Sequence, residues 1–153
     1  MINIKLTHPN AKVPEYQTSG SAGFDIATVE DVRFNHFQDE ALVRTGLVVE
    51  TPRDHVLLTF PRSSTYKKWG IKLSNSIGVI DSDYAGNEDE IKLQLLYEGE
   101  IFAENDPYII PAGTRLAQGL FIPVKQTVFQ VVEDMTQQSR GGFGSTGSGV
   151  TIF

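Results

Sequence analysis

The residues from Arg140 to Gly147 have the types and the spacing of a nucleotide-binding loop. The run reads RGGFGSTG, with one guanidinium, one aromatic ring and two hydroxyls among its glycines. Glycines let backbone N–H groups approach a ligand closely, and a guanidinium offers a fork of donors that suits phosphate. Phe143 adds a flat face on which a base can stack. The pattern predicts a strap that closes over a nucleotide, and the alternative is a disordered glycine-serine tail.

A second candidate is the run Pro61–Ser64, which reads PRSS between a predicted strand and a short predicted helix. Arg62 supplies a cation, and Ser63 and Ser64 supply hydroxyls beside the free N–H groups of a helix start. Such a combination is typical of phosphate binding. The alternative is that the two serines only cap the helix.

A third candidate is the run Asn75–Gly86, which reads NSIGVIDSDYAG. A short apolar strand leads into Asp81, and Tyr84 follows three residues later. A carboxylate at a strand end can accept a proton from water and orient the oxygen that remains. The alternative, an Asx turn formed by Asp81 and Asp83, fits these residues at least as well.

Two further motifs, SAGFD at Ser21–Asp25 and GTRLAQ at Gly113–Gln118, are by themselves ordinary turns that lead into strands. Together with PRSS, GVIDSDYAG and RGGFGSTG they stand in a fixed order from Ser21 to Gly147. In that order the five motifs resemble those of the homotrimeric dUTPase family, and of its bacterial and phage members in particular. Five ordered motifs are far more specific than any one of them alone.

The resemblance implies hydrolysis of dUTP to dUMP and pyrophosphate, with Mg²⁺ bound to the triphosphate. It implies that Asp81 activates the attacking water, that Tyr84 lies beneath the deoxyribose and excludes a 2′-hydroxyl, and that Asp25 holds waters of the Mg²⁺ shell. The substrate contacts that it implies are Arg62, Ser63, Ser64, Asn75, Gly78, Gln118, Arg140, Phe143, Gly144, Ser145 and Thr146. It also implies a homotrimer whose active sites combine motifs from different chains.

Two rival functions remain open. A dCTP deaminase has a similar fold but needs a glutamate on the strand after the third motif, where the outward positions here are Lys92 and Gln94. A regulatory protein that responds to nucleotides is the other rival, and the acidic region 86–106 is its candidate surface for a protein partner. Because every catalytic motif is present, the sequence favours an active dUTPase.

The elements that must position these motifs are predominantly strands. Alternating apolar residues, with frequent glycines and prolines, indicate a sandwich, jelly roll or barrel; the resemblance implies an all-β, jelly-roll-like distorted β-barrel with one short helix. We expect one domain over 1–153, with 139–153 as a flexible C-terminal strap and tail. The predicted strands are 2–6, 41–50, 55–60, 78–80, 91–97, 107–110, 116–124 and 128–132, and the predicted helix is 64–69.

Composition narrows the class of protein. The chain has 153 residues, 40% hydrophobic residues, no cysteine and a net charge of −6. A negative charge argues against binding nucleic acid or anionic membranes directly. The lack of cysteine and of a signal peptide favours the cytoplasm. An acidic protein that binds a triphosphate needs local cations, which the arginines of the motifs and Mg²⁺ would supply.

Overall fold

The computed structural model describes residues 1–100 and 107–142. This part of the chain contains ten strands and one short helix. In chain order they are β1 Ile4–Leu6, β2 Phe24–Ala27, β3 Val32–Phe34, β4 Glu40–Val49, β5 His55–Pro61, α1 Thr65–Trp69, β6 Ile71–Leu73, β7 Gly78–Ile80, β8 Ile91–Tyr97, β9 Tyr108–Ile110 and β10 Arg115–Pro123.

The strands form three antiparallel sheets. The first has the order β1-β4-β8-β6, the second β2-β10-β5-β7, and the third pairs β3 with β9. Strand β8 shows why the sequence pairs in this way: Ile91, Leu93 and Leu95 are buried, whereas Lys92 and Gln94 between them are exposed. Residues two apart share a face of a strand, so this alternation gives the sheet one face for the core. Each large aliphatic side chain buried there contributes about 1.5–3 kcal/mol.

The second sheet leaves its outward face only partly covered. Its inward face carries Leu57 and Thr59, which are buried. The outward face places Leu58 of β5 opposite Leu120 of β10 on one side and Val79 of β7 on the other. Leu58 and Leu120 are half-buried, and Val79 is 61% exposed. We call this surface the outer face; it comprises Val56, Leu58, Phe60, Val79, Gln118, Leu120 and Ile122.

Strand β4 contains a bulge between Arg44 and Leu47, where its register on β8 shifts. Gly46 lies in the bulge with φ +69°, and a Cβ there would stand 2.6 Å from the Cβ of Ala11. Both the backbone conformation and the crowding require glycine. The buried Thr45 hydroxyl donates to the carbonyl of Ile91 at 2.6 Å, which ties the bulge to the start of β8.

The expected all-β architecture with one short helix is confirmed, and the three sheets form no closed barrel within 1–100 and 107–142. The helix ends as predicted at Gly70, which has φ +64°. The alternative interpretation of the serines as a helix cap fails for Ser64, which makes no side-chain hydrogen bond at the start of α1. Its ψ of −10° is helical, whereas a capping residue needs an extended conformation to turn its hydroxyl back onto the first turn.

The strand predicted over 128–132 is wrong. No strand forms there, and the exposed fractions of Val128, Phe129 and Val131 are 93%, 92% and 98%. High β-propensity becomes a strand only where a partner offers hydrogen bonds and a surface to pack on. The described part of the chain supplies no such partner.

No helix in the described residues has the length and apolar character that crossing a membrane requires.

Candidate active site

Three of the five motifs meet at one end of the second sheet. Gln118 of β10 lies between Asp25 of β2 and Phe60 of β5 in the strand register. Its side-chain amide donates to the carbonyl of Pro61 at 3.2 Å. Arg62, directly after β5, places its Nε 2.7 Å from Asp25 Oδ1. Residues predicted from the first, second and fourth motifs are therefore neighbours.

Arg115 belongs to the same group, although sequence reasoning gave it no role. Its Nη1 donates to Asp25 Oδ2 at 2.9 Å and to the side-chain carbonyl of Gln17 at 2.8 Å. The Asp25 side chain is 11% exposed and has one guanidinium on each oxygen. The available signal was a further cation inside GTRLAQ, three residues before Gln118.

The hydroxyls predicted to bind phosphate lie next to this pair of guanidiniums. Ser63 and Ser64 are exposed and follow Arg62 directly. The buried Thr65 hydroxyl donates to the carbonyl of Leu116 at 2.7 Å, which fixes the start of α1 against β10. Two guanidiniums beside free hydroxyls can hold the oxygens of a multiply charged anion. We call Asp25, Arg62, Ser63, Ser64, Arg115 and Gln118 the cationic cluster.

The third motif forms a separate group. The turn from Asn75 to Gly78 joins β6 of the first sheet to β7 of the second. Ser76 has φ +63° within this turn, and the N–H of Ile77 donates to the carbonyl of Asn75 at 2.7 Å. Gly78 is buried where a Cβ would collide with the hydroxyl of Thr59. The turn is therefore closely packed only at Gly78, while Asn75, Ser76 and Ile77 are exposed.

Asp81 and Tyr84 follow β7 in one tight turn. The N–H of Tyr84 donates to the carbonyl of Asp81 at 3.2 Å, and its hydroxyl donates to the carbonyl of Glu90, also at 3.2 Å. The Asp81 carboxylate is exposed, and Tyr84 is 41% exposed. Both line an open cavity of about 420 Å³, together with Leu42, Val79, Ile80, Glu90, Ile91 and Lys92. An exposed carboxylate beside a flat aromatic ring can accept a proton from water next to a ligand that packs against the ring.

Asp81 and the cationic cluster lie toward opposite ends of strand β5, whereas the turn from Asn75 to Gly78 lies nearer the cluster, because Gly78 pairs with Thr59. Ile80 pairs with Leu57, so Asp81 comes level with Val56. Arg62 is six residues further along, which at roughly 3.3 Å per residue is about 20 Å. The positions predicted to act on one substrate are thus too far apart to meet within a single chain.

The rest of the predicted site lies in or beyond an exposed C-terminal segment. Arg140 is exposed and belongs to no strand or helix. Phe143, Gly144, Ser145 and Thr146 lie outside the described residues, as does part of the 86–106 region. Within 1–100 and 107–142 no group of three or more His, Cys, Asp or Glu side chains could hold a metal ion. Asp25 is the acidic side chain of the cationic cluster.

Sequence reasoning missed an ion pair between Arg44 and Glu90, the residue whose carbonyl accepts from the Tyr84 hydroxyl. The Glu90 side chain is 8% exposed and accepts from Arg44 Nη2 at 2.9 Å and from the N–H of Gly46 at 2.8 Å. Burial by itself raises the pKa of Glu90, but the hydrogen bonds from Arg44 and Gly46 and the guanidinium charge outweigh it, so the pKa lies below its ordinary value. The only signal in the sequence was the glycine inside the predicted strand at Gly46, which suggests a bulge.

This lowered pKa predicts an acid-dependent loss of stability. A carboxyl group with a lowered pKa in the folded state contributes stability that is present above its unfolded pKa, about 4.3, and is lost as the pH falls through the folded value. We therefore expect the difference in free energy of unfolding between the natural protein and Glu90→Gln to be largest near pH 7 and to shrink below pH ~4. Urea unfolding at each pH measures it, with Glu88→Gln, an exposed residue of the same loop, as control. A difference that stays constant with pH would contradict the assignment.

Comparison with protein families gives one match over almost the whole chain. The model of the dUTPase family matches residues 9–147. A deoxyuridine 5'-triphosphate nucleotidohydrolase of Wolinella succinogenes is 38% identical over 148 residues, which cover 95% of this chain and 93% of that protein. The corresponding protein of Helicobacter hepaticus is 39% identical over 148 residues, with 95% and 88% covered.

Solved structures agree in fold. A dUTPase of Staphylococcus bacteriophage 80alpha, solved with dUPNHPP, superposes with a TM-score of 0.78 at 25% identity, covering 96% of this chain and 98% of that one. The dUTPase of phage phi11 of S. aureus, whose structure describes the coordination of a structural Mg(II) ion, gives a TM-score of 0.77 at 24% identity, covering 90% and 99%.

Proposed function

The chain belongs to the dUTPase family, and we propose that it hydrolyses dUTP to dUMP and pyrophosphate in sites shared between copies of the chain. The observation that carries this proposal is the separation of Asp81 from the cationic cluster along β5. A triphosphate and the water that attacks it need both groups within a few ångströms. A second copy, with its Asp81 end placed against the cationic cluster of the first, supplies that arrangement.

Self-association is supported by two apolar surfaces. The outer face of the second sheet keeps Leu58, Leu120 and Val79 at least partly open to water. The segment after β10 exposes Val128, Phe129 and Val131 almost completely. Contiguous apolar surface of this kind marks a contact site. Because identical chains that associate head to tail close into rings, we propose the homotrimer that the family resemblance implies.

Asp81 is the proposed catalytic base. It takes a proton from water as the water oxygen attacks the α-phosphorus, and the bond from that phosphorus to the bridging oxygen breaks to release pyrophosphate. Tyr84 lies under the deoxyribose. The turn from Asn75 to Gly78 contacts uracil through its backbone groups. The exposed position of Asp81 beside the Tyr84 ring supports this assignment.

The cationic cluster is the proposed phosphate site. Arg62, Ser63 and Ser64 contact the phosphates, and Gln118 contacts the α-phosphate or the water. Phosphoryl transfer asks mainly for positioning and charge neutralisation, so fixed donors suffice without covalent chemistry by the protein. We propose that the strap 139–153 then closes over the nucleotide, with Arg140, Ser145 and Thr146 on phosphates, the backbone of Gly144 beside them and Phe143 over uracil.

The residues present fit Mg²⁺ carried by the substrate. Mg²⁺ keeps several waters and binds phosphates, so it needs few protein ligands. Asp25 has a lone pair left on each oxygen after its two arginine contacts and can accept hydrogen bonds from metal-bound waters. When bound, Mg²⁺ neutralises charge on the phosphates of the substrate.

The proposal is tested by measuring pyrophosphate release from dUTP, dTTP, dCTP and UTP, with and without Mg²⁺. We expect release from dUTP alone among the four at low substrate concentration, and we expect it to depend on Mg²⁺. Equal rates with dUTP and UTP, or none with dUTP, would contradict the proposal.

The rival dCTP deaminase is disfavoured by the state of Glu90. This glutamate comes directly before β8, close to the third motif, but its carboxylate is already held by Arg44 and by the amide of Gly46. It is therefore not free to handle the amine of a cytosine. Ammonia released from dCTP in the same assay would reverse this conclusion.

A further inference from the structure

We propose that the ion pair between Arg44 and the buried Glu90 positions Tyr84 and thereby sets the preference of the enzyme for deoxyribose over ribose. The inference rests on the proposed function, since it takes Tyr84 to lie against the sugar. Arg44 is not among the residues that line the cavity of Asp81 and Tyr84, and Glu90 borders it with a carboxylate already held by Arg44 and the amide of Gly46. They are positioning residues that act through the tyrosine ring.

Tyr84 is restrained both at its backbone and at its side-chain hydroxyl. Its backbone N–H donates to the carbonyl of Asp81, and its hydroxyl donates to the carbonyl of Glu90, each at 3.2 Å. The hydroxyl bond is the restraint at the far end of a side chain that is 41% exposed. The height of the ring beneath the sugar therefore depends on where the backbone of Glu90 lies.

The backbone of Glu90 is in turn fixed by its own side chain. Arg44 meets the carboxylate with two nitrogens, Nε at 3.1 Å and Nη2 at 2.9 Å from the same oxygen. The amide of Gly46 donates to the other oxygen at 2.8 Å. A planar guanidinium that contacts a carboxylate in this way restrains both its distance and its orientation.

The bulge in β4 creates this binding arrangement. In a regular strand the backbone N–H of residue 46 would donate either to a neighbouring strand or to solvent. Here the register shifts between Arg44 and Leu47, and the positive φ of Gly46 turns its N–H onto Glu90. The bulge thus presents both the Arg44 guanidinium and the Gly46 N–H to the Glu90 carboxylate. Glu90 thereby links β4 to the third motif.

The loop between Tyr84 and Glu90 has other restraints that do not involve this pair. The N–H of Gly86 donates to Asp89 Oδ2 at 2.7 Å, and Lys5 Nζ donates to the carbonyl of Asn87 at 2.9 Å. Loss of the Glu90 charge should therefore leave the loop folded and displace mainly the carbonyl that holds the tyrosine hydroxyl. This separates an effect on sugar preference from a general loss of structure.

A small displacement is enough to change that preference. Rejection of a ribonucleotide by contact requires that the ring leave no room for one added hydroxyl. Misplacement of a group by about 1 Å can change a rate by 10²-fold. We therefore expect Glu90→Gln to reduce the ratio of kcat/KM for dUTP to kcat/KM for UTP by roughly ten- to a hundred-fold.

The experiment is a double-mutant cycle on that ratio, with Glu90→Gln, Tyr84→Phe and the double variant. Tyr84→Phe removes only the hydroxyl that Glu90 holds. If the pair acts through this hydroxyl, the double variant will lose no more than the larger single loss. Losses that multiply, or a ratio that is unchanged in either single variant, would overturn the proposal. Arg44→Lys keeps the charge but loses the two-nitrogen contact, and it replaces Glu90→Gln in the cycle if that variant does not fold.

Glu98→Gln is the matched control. Glu98 directly follows β8, at the opposite end of that strand from Glu90; it forms an ion pair with Lys72 at 2.8 Å, and its side chain is 23% exposed. We expect this variant to keep the dUTP to UTP ratio. If the natural protein does not hydrolyse dUTP, the proposed function is wrong. If it hydrolyses dUTP selectively, but Glu90→Gln leaves the dUTP to UTP ratio unchanged, only the present inference is wrong.

Discussion

Asp81→Asn is expected to lower the turnover of dUTP by about 10²–10⁴-fold, the usual effect of losing a general base. Asparagine keeps the shape of the side chain and its place in the turn after β7, but its amide cannot take a proton from the attacking water. Affinity for the substrate should change little, because the phosphates and the base are held by other residues. Pyrophosphate release gives the turnover, and calorimetry with an unhydrolysable analogue gives the affinity.

Asp83→Asn is the appropriate control for this prediction. Asp83 is exposed, lies two residues further along the same turn and has no proposed role in proton transfer. Near-natural turnover in Asp81→Asn, or an equal loss in both variants, would show that Asp81 is not the base.

The second large effect concerns the sharing of sites. Asp81→Asn and Arg62→Leu should each be nearly inactive as pure proteins, and we expect a mixed assembly of the two to recover activity. A site that takes position 81 from one chain and position 62 from a neighbour is intact when each chain carries the other's defect. In every trimer that contains both variants this holds for about one of the three sites, whichever variant is in excess.

The two variants should be co-expressed with different tags, and the hybrid purified over both. A chain that carries both substitutions, mixed with the natural protein in the same way, provides the reference for simple dilution. Sedimentation checks that the hybrid has the size of a trimer. No recovery in a hybrid of that size would mean that each site is built within one chain, contrary to the separation along β5.

Sequence reasoning found the residues whose side-chain type itself indicates a chemical role. Asp81, Arg62 and Gln118 stand in motifs with recognisable composition, and the structure places Arg62 and Gln118 together with Asp25. Long strands such as β8 were predictable because several alternations of apolar and polar residues establish a period. Strands β3 and β6, with three residues each, were missed, although the equally short β1, β7 and β9 were predicted.

The interactions that were missed depend on pairing between distant segments. Arg44 and Glu90 are 46 residues apart and meet only because β4 and β8 are neighbours with a bulge at this point. The segment 128–132 failed for the complementary reason. Its composition favours a strand, but composition alone does not show whether a partner strand exists within the same chain.

The distance between Asp81 and Arg62 has a consequence for how activity begins in the cell. In the proposed assembly a newly made polypeptide could complete its fold and still hold no working centre, because the two halves of that centre would come from different molecules. Catalysis would then start only once enough chains have accumulated to meet. At low expression the total activity would therefore rise more steeply than the amount of protein. The enzyme would be nearly inactive when scarce and fully active when abundant.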